Sequence, residues 1–198
     1  MKILIVLANP HKGSFNHAIA ESAVRTCEKN GHEVIFHDLY EEDFPAVLPY
    51  SEIPKNADIP AVVEKYCREL SRADGIIIIH PNWWGQPPAI LKGYIDRVIR
   101  PGVAYEFAEG DSGEGIPIGL LPAKAALVFN TANTPAQREI ETFGDPLETL
   151  WKNCVFALCG IDNFYRRTFS VVVTSSAGQR REWLDEVAAV VKHYFPVA

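Results

Sequence analysis

The run Gly75-Ile76-Ile77-Ile78-Ile79-His80-Pro81-Asn82-Trp83-Trp84-Gly85-Gln86-Pro87-Pro88 decides the fold. A continuous apolar strand of this kind belongs at the centre of a parallel sheet, covered on both faces. It leads directly into two adjacent tryptophans and a glycine, and a helix begins beyond the prolines. Flat aromatic surface is thereby placed at the carboxyl end of a central strand, where open α/β sheets bind their ligands.

Outward from this strand the chain alternates strands and helices. Lys2 to Ala8 reads as a buried first strand, Asn9 to Ser14 as a polar turn, and Phe15 to Lys29 as a crossover helix ended by Asn30-Gly31. Glu33 to Asp38 is a second strand, and Leu39 to Ile59 is an irregular, proline-rich connection. Ile59-Pro60 opens a helix through Arg72, because proline is tolerated in a first turn. Ala89 to Ile99 is the next helix, with Pro101-Gly102 beyond its end.

Val103 to Pro122 is a glycine-containing excursion, Ala123 to Asn130 the fourth strand, and Thr131 to Phe143 a second candidate binding loop. Pro146 to Cys159 has helix-compatible content, Arg167 to Val173 forms the fifth strand, and Gln179 to Tyr194 a terminal amphipathic helix. The expectation is one α/β domain over residues 1–198, a doubly wound five-stranded parallel sheet with helices on both faces.

Composition agrees with one domain. A chain of 198 residues with 47% hydrophobic and 22% charged content buries roughly 70% of its unfolded surface. The net charge of −6 and the dispersed arginines argue against nucleic-acid binding. Cys27, Cys67, Cys154 and Cys159 lack zinc-type pairing and read as core thiols, with no metal site expected. The apolar start, Met1 to Leu7, is too short for a membrane span and reaches His11 too soon for a signal peptide, so a cytoplasmic protein is expected.

Three loops carry the chemistry. In Asn9-Pro10-His11-Lys12-Gly13-Ser14-Phe15-Asn16 a buried strand meets a helix start, whose unused amides suit phosphate oxygens, with His11 or Lys12 offsetting charge. An ordinary helix cap at Ser14 explains the same residues. The segment matches neither the G-x-G-x-x-G pattern nor the P-loop. Trp83 and Trp84 suit a planar ring, against core packing or a dimer seam as the plainer reading. Thr131-Ala132-Asn133-Thr134 supplies hydroxyls and an amide to the same sheet edge, although turn formation explains these residues too. The charged run Asp38 to Asp43 reads as a solvated loop, and His80 as a strand-end histidine that bonds its surroundings.

The chain resembles the flavodoxin-like NAD(P)H:quinone oxidoreductases. The resemblance rests on Lys2 to Ala8 with His11 and Ser14-Phe15-Asn16, on Asp38-Leu39-Tyr40, and on the block Pro81 to Val98. It implies a flavodoxin-like fold, noncovalent FMN (FAD as the alternative), hydride donation by NADH or NADPH, and two-electron reduction of quinones. His11, Ser14, Phe15 and Asn16 would surround the phosphate-bearing side chain of the flavin. Pro81, Asn82, Trp83 and Trp84 would hold the ring, with Thr131, Ala132, Asn133 and Thr134 contributing. A homodimer is implied, with Tyr105 and Phe107 lining the acceptor pocket from the partner subunit.

The better-known mammalian members carry a glycine pair and a Tyr-His pair beyond the fourth strand. Here that region reads Asn130-Thr131-Ala132-Asn133-Thr134 and Glu139 to Asp145, without them, so no catalytic residue is assigned. Two further readings stand beside quinone reduction. One is reduction of azo or nitro acceptors, and the other is a regulatory flavoprotein subunit associated peripherally with a membrane transport protein.

Overall fold

The computed structural model describes residues 1–111 and 113–197. Strands β1 (Lys2–Leu7), β2 (Glu33–Asp38) and β3 (Gly75–Pro81), followed after a short antiparallel pair β4 (Tyr105–Glu106) and β5 (Ile118–Gly119) by β6 (Ala126–Thr131) and β7 (Phe164–Phe169), supply all the sheet structure among the described residues. The main sheet is parallel in the order β2-β1-β3-β6-β7. The helices are α1 (Phe15–Lys29), α2 (Ala61–Leu70), α3 (Ala89–Val98), α4 (Ala136–Phe143), α5 (Pro146–Glu148) and α6 (Ala177–Tyr194). A π-helical stretch, Thr149–Phe156, continues α5.

Side chains that alternate along the buried strands feed two cores. Leu4, Val6, Ile76, Ile78, Ala126 and Val128 face α2, α3 and the π-helical stretch through Tyr66, Tyr94 and Trp151. Ile3, Ile5, Leu7, Ile77, Ile79, Leu127 and Phe129 face α1 and α6 through Ile19, Ala23, Trp183 and Val187. The flavodoxin-like, doubly wound expectation therefore holds. Its strand order reverses between β1 and β3, and the connections leaving these strands cross opposite faces of the sheet. A crevice must open at their carboxyl ends.

Several boundaries differ from the sequence reading. The fifth strand of the sheet is Phe164–Phe169 rather than Arg167 to Val173, because pairing with β6 runs from Ala126↔Phe164 to Thr131↔Phe169. The valines that suggested a strand instead form a short turn, Val172–Thr174, at the sheet edge. Pairing with β3 likewise sets β6 at Ala126–Thr131 instead of Ala123 to Asn130. The second candidate loop is only partly a loop: α4 begins after Pro135 and stops at Gly144, whose φ of 69° ends it in the left-handed conformation. Pro146 to Cys159 is helical but mostly π-type. Cys154 is exposed, not a core thiol, because the buried face of this stretch presents Trp151, Val155, Phe156 and Cys159.

Candidate functional site

The loop after β1 is ordered by a chain of amide groups. The backbone N–H of His11 donates to Asn9 Oδ1 at 2.9 Å, so Asn9 must present its Nδ2, which donates to Asn16 Oδ1 at 2.9 Å. Thr131 Oγ1 donates to the same oxygen at 2.9 Å. Asn16 is thereby fixed with its carbonyl inward, and its buried Nδ2 has no protein partner. Such an orphaned donor costs about 1–3 kcal/mol unless something accepts from it.

Ser14 caps α1, accepting from the backbone N–H of His17 at 3.4 Å. His17 bridges Ser14 Oγ (2.9 Å) and Asp38 Oδ2 (3.1 Å). The Ser14 hydroxyl is engaged by His17, so the helix-start amides are the ready donors. Asp38 is buried and also accepts from the amides of Tyr40 and Glu41, which corrects the solvated reading of this part of the charged run. His37 and Tyr66 likewise engage Glu42.

Beyond β3 the chain reverses in two residues. Trp83 and Gln86 exchange both backbone hydrogen bonds at 3.0 Å, and Trp84 and Gly85 between them have φ of 58° and 71°. Positive φ at both central positions defines a type I′ turn, a conformation unfavourable for tryptophan. Asn82 Oδ1 accepts from the Gly85 amide at 2.9 Å, and the Asn82 amide donates to Thr131 O at 2.7 Å, tying this turn to the loop after β6. Trp84 consequently stands fully exposed.

These loops enclose a cavity of about 350 Å³ lined by Asn9, Ser14, Phe15, Asn16, Pro81, Asn82, Trp83, Thr131, Ala132, Asn133, Thr134, Val172 and Val173. A second cavity of about 400 Å³ shares Asn82, Ala132, Asn133 and Thr134, and adds Trp84, Gly85, Arg138, Glu139, Phe143 and Pro146. Every predicted cofactor residue except His11 lines one or both. His11 is exposed and lines neither, and Lys12 is paired at the surface with Glu41, at 2.8 Å, instead of offsetting an anion. That carboxylate raises the Lys12 pKa, chiefly through the hydrogen bond.

Tyr105 and Phe107 lie elsewhere, stacked edge to face at 5.8 Å in a cavity of about 320 Å³ against Ile95, Ile99, Val155 and Cys159. Sequence reading missed Val172 and Val173 as lining, and it included Arg138, Glu139 and Phe143 in the Thr131 to Phe143 loop without recognising that they stand on a helix. The Pro135 to Gly144 span bracketing α4 was the available signal.

Beneath the turn, His80 is wholly buried. Its Nδ1 donates to Pro81 O at 2.8 Å, while Nε2 accepts from Asn130 Nδ2 (2.7 Å) and Trp151 Nε1 (2.9 Å). Both nitrogens are occupied in one neutral tautomer, and burial brings the pKa down to about 4. Held this way, His80 links the turn to β6 and to the π-helical stretch. Asn130 Oδ1 in turn accepts from Arg166 at 3.2 Å, and Arg166 holds Asp145 and Glu148 at the start of α5. Pro146 in that segment packs under Gly85.

Residues 1–193 match a protein family described as having a flavodoxin-like fold. An uncharacterized NAD(P)H oxidoreductase of Haemophilus influenzae is 36% identical over 167 residues, 82% of this chain and 80% of that protein. The rat NAD(P)H dehydrogenase (quinone) 1 is 34% identical over 127 residues, 54% of this chain, and the match spans 46% of the rat enzyme. Among solved structures, Smu.1420 from Streptococcus mutans UA159 superposes with a TM-score of 0.84 at 32% identity, covering 98% of this chain and all of that one.

Proposed function

This chain belongs to the flavodoxin-like fold family that includes NAD(P)H oxidoreductases, and from that premise we propose that it binds a flavin across the loops after β1, β3 and β6 and reduces quinones or similar planar acceptors by two electrons, with NADH or NADPH as donor. The observation that carries the reading is the cavity that Asn16 lines, with its buried Nδ2 left unpartnered, formed by a helix start, an aromatic I′ turn and a hydroxyl-bearing loop at the point where strand order reverses.

A bound flavin supplies the hydride chemistry, so no protein nucleophile is required. The chain's own residues bind and orient it. The amides at the start of α1 and Asn16 Nδ2 meet the phosphate-bearing side chain, aided by the helix dipole. Trp83, the Pro81-Asn82 backbone and Thr131 to Thr134 frame the ring, while Trp84 and Phe143 flank the space left for donor and acceptor. His80, Asn130 and Trp151 set the height of the turn.

FMN is the proposed flavin. Among the described residues the first cavity has no lysine or arginine in its lining, so neutral donors and one helix start face the anion, which suits a single phosphate. The proposed assembly is a homodimer of single-domain chains. Tyr105 and Phe107 line a cavity apart from the two at the flavin loops, which supports their meeting an acceptor across an interface. The experiment is anaerobic mixing of FMN-loaded protein with NADH or NADPH, followed by a quinone. Bleaching by the donor and recovery of the yellow colour with the quinone are expected; a flavin that no donor bleaches would overturn the reading.

A further inference from the structure

Among the described residues the second cavity is lined by one cation, Arg138, and we propose that Arg138 selects planar acceptors bearing an anionic ring substituent, a carboxylate or sulfonate. The inference rests on the acceptor site proposed above. Arg138 projects from α4 beside Trp84, Phe143 and Pro146, apolar surfaces suited to a flat ring. Its guanidinium lies 5.8 Å from the Phe143 ring centroid, and among the described residues no hydrogen bond or ion pair takes its N–H groups.

The surrounding carboxylates do not neutralise it. Glu141, one turn along the helix, accepts from Gln137 Nε2 at 2.8 Å and forms no ion pair with Arg138, and the charges of Asp145 and Glu148 are both met by Arg166. Among the described residues no carboxylate oxygen lies within 4.0 Å of the Arg138 nitrogens. The charge matters because the chain carries a net −6, a field that disfavours anions generally, so an anionic acceptor needs a local cation to be held. Glu139 lines the same cavity, which confines the anionic substituent to the Arg138 side.

The test is equilibrium binding, followed by tryptophan fluorescence, of a sulfonated anthraquinone and its uncharged hydroxymethyl analogue, with and without FMN. The wild-type protein should bind the sulfonate about tenfold or more tightly, the span of one charge-assisted hydrogen bond. Arg138→Gln should abolish the preference, Arg138→Lys should restore part of it, and Glu139→Gln should widen it. Equal wild-type affinity for the two ligands, or a preference unchanged in Arg138→Gln, would overturn the assignment. A charge preference that persists in a protein unable to oxidise NAD(P)H would instead refute the proposed function while leaving Arg138 in its role.

Discussion

Gly85→Ala probes the ring-binding turn through two separable effects. Gly85 has a φ of 71°, and a Cβ built there lies 2.7 Å from Pro146 Cγ. The left-handed conformation alone costs a non-glycine residue about 1–2 kcal/mol. Pro146 cannot retreat easily, since Arg166 grips Asp145 and Glu148 on either side of it, so the turn itself must move and overpacking adds about 1–3 kcal/mol. Gly102 provides the control, with a φ of 79°, nothing within 4 Å of its virtual Cβ, and a position outside both site cavities. Urea unfolding should show a loss of about 1–2 kcal/mol for Gly102→Ala and about 2–5 kcal/mol for Gly85→Ala. Titration with FMN, read by flavin fluorescence, should show affinity reduced about tenfold or more in folded Gly85→Ala and retained in Gly102→Ala. Wild-type FMN affinity in Gly85→Ala, or an equal loss in both variants, would refute the placement of the ring against this turn.

Asn16→Asp keeps an oxygen for Asn9 and Thr131 but replaces the orphaned donor with negative charge, so FMN affinity should fall about tenfold or more in the same titration. His80 is neutral when folded, with its pKa at about 4 against an ordinary 6.5. Its contribution to stability is complete above pH 6.5 and disappears as pH falls through 4, so urea curves should lose about 3 kcal/mol more over that interval than those of His80→Gln. The Glu52 carboxylate, buried against Arg97, fixes the long connection after β2 to α3, and Glu52→Gln should reduce unfolding free energy by about 3 kcal/mol by leaving the guanidinium without its counter-charge.

Local signals made the centre of the fold legible. The isoleucine run could only be a doubly covered strand, and Ser14 before a periodic segment marked a helix start. The loops after β1, β3 and β6 were placed together because parallel strands carry all their outgoing loops to one edge. What escaped depended on distant partners. The limits of β7 come from its register with β6, while the apolar Val171 to Val173 pointed one segment too far along the chain. The I′ turn was hidden because tryptophan occupies a position that normally takes asparagine or glycine. Asp38 looked solvated until His17, a helical turn beyond Ser14, was found against it, and the His80 to Arg166 network joins side chains from three strands and the π-helical stretch.

Everything functional depends on a flavin occupying the crevice between the loops after β1, β3 and β6. Calorimetric titration of the flavin-free protein with FMN, repeated with Asn16→Asp, measures that occupancy without requiring turnover. Saturation at one FMN per chain, weakened by the substitution, is the predicted result. No saturable heat with FMN or FAD, or binding indifferent to Asn16, would contradict the account.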